Sequence, residues 1–317
     1  MNKVILAPAG GRKTQSIIDL CCVENDKRKK LIVTFTTTGQ KVIEERLWSN
    51  KCTRINIEVL GWYTFLLKHF IYPYINDLFP DQVVKGLHFV EGNDPTIYKK
   101  GVKRYIDNSG KVYSNNIGKL AFDVINASCG ACLDRLEGVF DEIYFDEVQD
   151  LGGNDLEIIE LLMKSEIHIT AVGDVRQSIL RTSRTDTKNK RYEGLKKILW
   201  FRHMESLGLC EIEERVYTWR CNKTIIEFAD SVLPKDLQFP VTESMQLNRS
   251  THEGVFVVSW DNLNLYIERF SPECYRNNIT CRILEGTQAI NFGLCKGRTV
   301  PRVLIYQIGR ASCRERV

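Results

Sequence analysis

Two short segments carry side chains suited to phosphate chemistry. The first is Ala7-Pro8-Ala9-Gly10-Gly11-Arg12-Lys13-Thr14, directly after the apolar run Val4-Ile5-Leu6. A strand, a glycine-bearing turn and Lys-Thr opening a helix make the pattern of a Walker A loop. In such a loop backbone N–H groups cradle phosphates at a helix N-terminus, the lysine reaches the outer phosphates and the hydroxyl holds Mg²⁺. Gly10, Gly11, Arg12, Lys13 and Thr14 are the expected nucleotide-binding residues. The pattern has Gly where this chain has Ala7 and Arg12. Arg12 is the larger departure, because a side chain stands where backbone must approach phosphate closely. The second segment, Asp146-Glu147-Val148-Gln149-Asp150, follows Ile143-Tyr144-Phe145. There Asp146 can hold Mg²⁺ with Thr14, and Glu147 can polarise an attacking water as general base.

The elements that must position these residues are legible as an alternation. Strands are predicted at Val4–Leu6, Leu31–Phe35, Ile55–Leu60, Glu142–Phe145, Ile167–Val172, Glu211–Tyr217, Val255–Ser259 and Val303–Tyr306. Between them Gly39–Trp48, Asp155–Met163, Tyr192–Leu207 and Lys223–Val232 have helical periodicity. Such alternation predicts an α/β fold, a parallel sheet covered by helices. The polar stretch from about Ile75 to Asn116 breaks the rhythm and predicts a small insertion, with a tight turn at Asn108-Ser109-Gly110. A first domain over 1–208 and a partial second one over 209–307 are expected.

Composition narrows the class. Hydrophobic residues make up 43% and charged residues 26%, as in ordinary globular chains. The net charge of +4 leans on three arginines in Ile308–Val317, so any polyanion surface must come from local patches. That last segment, IGRASCRERV, resembles a translated sequencing adapter and is set aside from the fold. The 11 cysteines have no framework spacing, and the lone pair Cys129-Gly-Ala-Cys132 fits core packing better than zinc or redox chemistry. No run approaches the roughly 20 apolar residues of a membrane helix. With no secretory signal, a cytoplasmic protein with reduced thiols is expected.

Further motifs stand in order between and after the two phosphate segments. They are Thr34-Phe35-Thr36-Thr37, Gly61-Trp62-Tyr63-Thr64-Phe65, Gly173-Asp174-Val175-Arg176-Gln177-Ser178-Ile179, Tyr217-Thr218-Trp219-Arg220 and Asn291-Phe292-Gly293-Leu294-Cys295-Lys296-Gly297. With DEVQD, this ordered set over residues 1–307 resembles the UvrD/Rep-type superfamily-1 helicases. The resemblance implies a RecA-like P-loop NTPase sheet with a small insertion and a partial second RecA-like domain. It implies ATP and Mg²⁺ as cofactors and single-stranded DNA, or a junction of duplex and single strand, as partner. It assigns Gln177 and Arg220 to the γ-phosphate, the latter from across an interdomain cleft. Phe35, Thr36, Trp62 and Lys296 become candidate nucleic-acid contacts. Trp62 and Phe65 could equally be core of a helix with Leu66 and Phe70. The family's upstream glutamine motif has no room before Asn2, and its last arginine motif would follow Tyr306. The chain therefore reads as the N-terminal portion of a motor, inactive alone.

The expected function is an ATP-dependent single-stranded DNA translocase or helicase. Two alternatives stay open: a catalytically weak, helicase-like DNA-binding protein, which Arg12 favours, and a P-loop protein of another class such as a kinase.

Overall fold

The computed structural model describes residues 1–50, 56–90, 94–178, 186–247, 252–295 and 298–306. It divides into two compact units, Met1–Gln246 and Leu247–Val317. The strands of the first unit are β1 (Lys3–Leu6), β2 (Lys30–Thr34), β3 (Ile57–Gly61), β4 (Gly86–His88), β5 (Lys111–Tyr113), β6 (Glu142–Phe145), β7 (His168–Gly173), β8 (Glu211–Glu214), β9 (Tyr217–Thr218) and β10 (Glu243–Ser244). Those of the second are β11 (Glu273–Arg276), β12 (Ala289–Asn291) and β13 (Val303–Tyr306).

Six strands form one parallel sheet in the order β3-β2-β6-β7-β1-β8. β2 and β6 are buried along their whole length, as strands covered on both faces must be. The edge strand β8, Glu-Ile-Glu-Glu, is exposed or half-buried, and its carboxylates discourage pairing with another chain. Alternate residues feed two cores. Ile5, Ile32, Tyr144 and Val172 pack with Ile17, Ile18, Ile43 and Leu47 of the helices Lys13–Cys21 and Thr37–Ser49. Val4, Leu31, Val33, Ile143 and Phe145 face the larger cluster on the other side. This period of two is the pleat itself.

The insertion region contributes to that larger cluster rather than forming a core of its own: Tyr105, Ile106 and Val112 are buried in it. Its expected turn is present. Asp107 N–H donates to Lys111 O at 2.9 Å, and the Asp107 carboxylate accepts from the N–H groups of Ser109 and Lys111.

Three expectations change. Glu211–Tyr217 is not one strand. After β8 the Arg215 N–H still donates to Leu6 O at 2.8 Å, and the chain then leaves the sheet edge. Gly208 closes the helix Lys197–Ser206 without closing the unit, because β8 pairs with β1 and the compact body runs on to Gln246. In the second unit β11 is flanked by β12 and β13 in a three-stranded parallel sheet. Residues 255–259, expected as a strand, have no regular structure, and Val255, Phe256 and Val257 are exposed. An apolar run becomes a strand only with a ladder partner, and β11 takes its partners from elsewhere. The terminal segment Ile308–Val317 lies outside the described residues.

Candidate active site

Parallel alignment puts the carboxyl ends of β1, β2, β3, β6, β7 and β8 at one edge of the sheet, where α/β folds bind ligands. The expected residues of the first unit leave from that edge. β1 runs into the loop 7–14. Gly10 has φ 78° and Arg12 φ 57°, so the loop keeps two left-handed residues although only one is glycine. A Cβ on Gly10 would lie 2.7 Å from Arg220 Cβ, and one on Gly11 would lie 2.9 Å from Pro8 O. Both glycines are sterically required, because Arg220 and Pro8 occupy the space a Cβ would take.

Lys13 Nζ donates to Ala7 O and Pro8 O at 3.1 Å each. Its burial lowers the ammonium pKa below the usual lysine value, and the charges of Asp174, Glu147 and Asp146 oppose that drop. Thr14 Oγ1 donates to Asp146 Oδ2 at 3.0 Å. Thus the loop hydroxyl and the carboxylate at the end of β6 meet, 132 positions apart in the chain. A hydroxyl and a carboxylate side by side, with a phosphate cradle adjoining, are the hard oxygen donors Mg²⁺ takes with a nucleotide. Asp146 is nearly fully buried, and desolvation and the Glu147 charge raise its pKa to about 6.

Glu147 has φ 59°, a left-handed turn that bends the chain sharply after β6. Its carboxylate accepts from Gln149 Nε2. Gln149 is fully buried and faces two ways, since its Oε1 accepts from Asp174 N–H at 3.0 Å. A Cβ on Gly173 would lie 2.6 Å from that oxygen, which explains the glycine before Asp174. Asp174 in turn accepts from Gln177 Nε2 at 2.6 Å and from Arg176 N–H at 3.1 Å. The acidic pair, Gln149, Asp174 and Gln177 form one hydrogen-bonded chain from β6 to the turn after β7.

Residues 91–191, which include both DEVQD and the Gly173-Asp174 segment, match the UvrD/REP helicase N-terminal domain. Over that stretch the chain is similar to the UvrD/REP helicases. No curated protein matches it. The matched stretch holds the acidic box and the Gln177 turn, and the loop 7–14, which Thr14 joins to Asp146, lies outside it.

Arg220 does not come from the second unit. It lies in the first, against Gly10, and its charge adds to the lowering of the Lys13 pKa. Of the candidate nucleic-acid residues, Phe35 is half-buried at the end of β2. Thr36 is exposed and caps the helix Thr37–Ser49 by accepting from Gly39 N–H at 2.9 Å. Trp62, expected beside them, is core: it is 2% exposed and lies under Phe35, ring centroids 5.8 Å apart and 23° from parallel. The helix Trp62–Leu66 begins at the very end of β3, which turns its first side chain inward. Phe65 is likewise fully buried. Lys296 lies outside the described residues.

Sequence reasoning passed over Gln149, Asp174 and Trp219. Gln149 and Asp174 sat inside motifs already quoted, but nothing in their spacing says that one would bridge to the other. Trp219 stood beside Arg220 with no visible partner.

Proposed function

We propose that the chain is the nucleotide-hydrolysing body of an ATP-driven motor acting on single-stranded DNA. The observation that carries the reading is the hydrogen bond from Thr14 to Asp146, which joins phosphate loop and acidic box in one site. Gly10, Gly11, Lys13 and Thr14 bind the phosphates, and Thr14 and Asp146 would hold Mg²⁺; the Arg12 side chain, expected among the phosphate ligands, stacks on Trp219 instead. With ATP bound, the metal supplies charge neutralisation at the β- and γ-phosphates. Glu147, tethered by Gln149, orients and deprotonates the attacking water. Gln177 and Arg220 face the γ-phosphate. Gln149 and Asp174 connect Glu147 to Gln177, so that phosphate occupancy is felt at the turn after β7. Phe35, with Thr36 beside it, offers a ring for an unpaired base, and Trp62 is the support beneath it.

The test is DNA-stimulated ATP hydrolysis. Glu147→Gln is expected to lower turnover by roughly 10²-fold or more, the scale of a lost general base, while nucleotide binding persists. Wild-type protein that binds single-stranded DNA but never hydrolyses ATP would favour the non-catalytic reading instead.

A further inference from the structure

The position before Lys13 holds Arg12 instead of glycine, and the fold gives that side chain a seat. Its backbone keeps the left-handed turn, and its guanidinium carbon lies 4.4 Å from the centre of the Trp219 ring. Trp219 belongs to a segment laid along the phosphate loop. Thr218 Oγ1 donates to Ala9 O at 2.5 Å, and the Trp219 N–H donates to Gly10 O at 3.4 Å. The Arg220 N–H donates to Thr218 Oγ1 at 3.1 Å, which places the Arg220 backbone against Gly10. Arg215 Nη1 donates to Ser16 Oγ at 2.5 Å, on the first turn of the following helix.

The far side of this segment is held by residues 243–246: β9 pairs with β10, the Met245 N–H donates to Thr218 O at 2.8 Å, and Gln246 Nε2 donates to Trp219 O at 3.3 Å. On the side of the phosphate loop, the backbone bond to Gly10 O is long. Trp219 itself is 40% exposed, so packing alone does not hold it. On the loop side the Trp219 ring meets the Arg12 guanidinium. A guanidinium is suited to this, being planar, permanently charged and weakly hydrated.

We propose that Arg12 is a positioning residue for Arg220: by stacking on Trp219 it holds residues 218–220 on the phosphate loop, so that Arg220 faces the outermost phosphate of a bound nucleoside triphosphate. The residue that departs from the glycine pattern thereby fixes the cation that reads the γ-phosphate. This inference rests on the nucleotide-binding reading above.

The experiment compares fluorescent ATP and ADP analogues, each with Mg²⁺, titrated into the full chain and its variants. ADP lacks the phosphate that Arg220 reads, so the ratio of the two affinities isolates Arg220. Wild-type protein is expected to prefer ATP, and Arg220→Ala to lose that preference. Arg12→Gly is expected to reduce the preference by about two- to fivefold, the scale of an exposed cation–π contact, with ADP affinity unchanged. Arg12→Lys, which keeps the charge but not the planar stack, should fall between. In an Arg220→Ala background, Arg12→Gly should do nothing further to the ratio.

Five results overturn the proposal. Arg12→Gly could leave the ratio at its wild-type value, or lower ATP and ADP affinity equally, or lower the ratio just as much without Arg220. Equal affinity of wild-type protein for ATP and ADP removes the role of Arg220 and this inference, and leaves the nucleotide site standing. Binding of neither analogue by any of the chains overturns both the inference and the functional reading.

Discussion

Burial and the neighbouring Glu147 raise the Asp146 carboxyl to about 6, while the bond from Thr14 and the charge of Lys13 pull the other way. The folded value exceeds the ordinary 3.8, so the folded state prefers the protonated acid. The resulting stability is complete below the unfolded pKa and is lost as pH rises through about 6. In the proposed site the form that would hold Mg²⁺ is the carboxylate, so that role uses the less stable species. Asp146→Asn should therefore abolish hydrolysis and yet stabilise the fold at pH 8 by on the order of 2 kcal/mol. At pH 4 the gain should vanish, because wild-type Asp146 is then neutral as well. Thermal unfolding at the two pH values decides; equal gains would rule out this cause. Arg12→Gly should be close to neutral in the same measurement. Relief of about 1–2 kcal/mol of left-handed strain is offset by chain entropy and the lost stack, together of similar size. A large loss would mean that the Trp219 contact holds more of the fold than its geometry suggests.

Among the elements, the π-helical turn Leu67–Ile71 has an identifiable cause. Pro73 lacks the N–H that would bond to His69 O, and its ring crowds that carbonyl. The ladder widens, and Arg135 Nη2 donates to His69 O at 2.8 Å in place of the missing backbone group. The same turn buries the His69 ring between Phe65 and Phe140, with no hydrogen-bond partner for either ring nitrogen among the described residues. Desolvation lowers its pKa to about 4, and the nearby charges of Lys68 and Arg135 add to the shift. A depressed base binds a proton in the unfolded chain before the folded one, so this group costs stability as pH falls from about 6.5 towards 4. His69→Phe should raise the unfolding temperature more at pH 5 than at pH 8; a gain independent of pH would assign the effect to packing alone. At the end of β2 the Phe35–Trp62 stack makes a second prediction. Phe35→Ala should weaken single-stranded DNA binding by about 1–3 kcal/mol per lost stacked base, with no preference among sequences. An unchanged affinity in an oligonucleotide titration would remove Phe35 from the interface.

At the scale of the whole molecule, the described site residues all belong to the first compact unit, Arg220 included. A chain ending at Gln246 should thus keep the six-stranded sheet and bind ATP with Mg²⁺ as the longer chain does. Loss of binding in the same fluorescent titration would show that residues after 246 complete the site. Much of this unit was readable in advance. The strand Glu142–Phe145 and the helix over Asp155–Met163 follow from runs whose period matches their burial. The loop 7–14 and the box 146–150 are local patterns in which neighbouring residues share one task, so linear order carries their meaning. Trp62 was ambiguous because an aromatic residue at a strand end serves equally as a base platform or as core. Only its place beneath Phe35 decided between them. The same holds for Arg220, expected from a second domain beginning at 209, which lies in the first unit because β8 pairs with β1. By itself the sequence determined the chemistry available: a lysine and a hydroxyl after a glycine turn, an acidic pair, a glutamine and an arginine. Tertiary structure decided which of them meet. The bridge of Gln149 from Glu147 to Asp174, the hydroxyl of Thr14 on Asp146 and the seat of Arg12 on Trp219 are contacts between distant segments. They depend on strand order and on where the chain leaves the sheet, and neither is encoded in the spacing of any one motif.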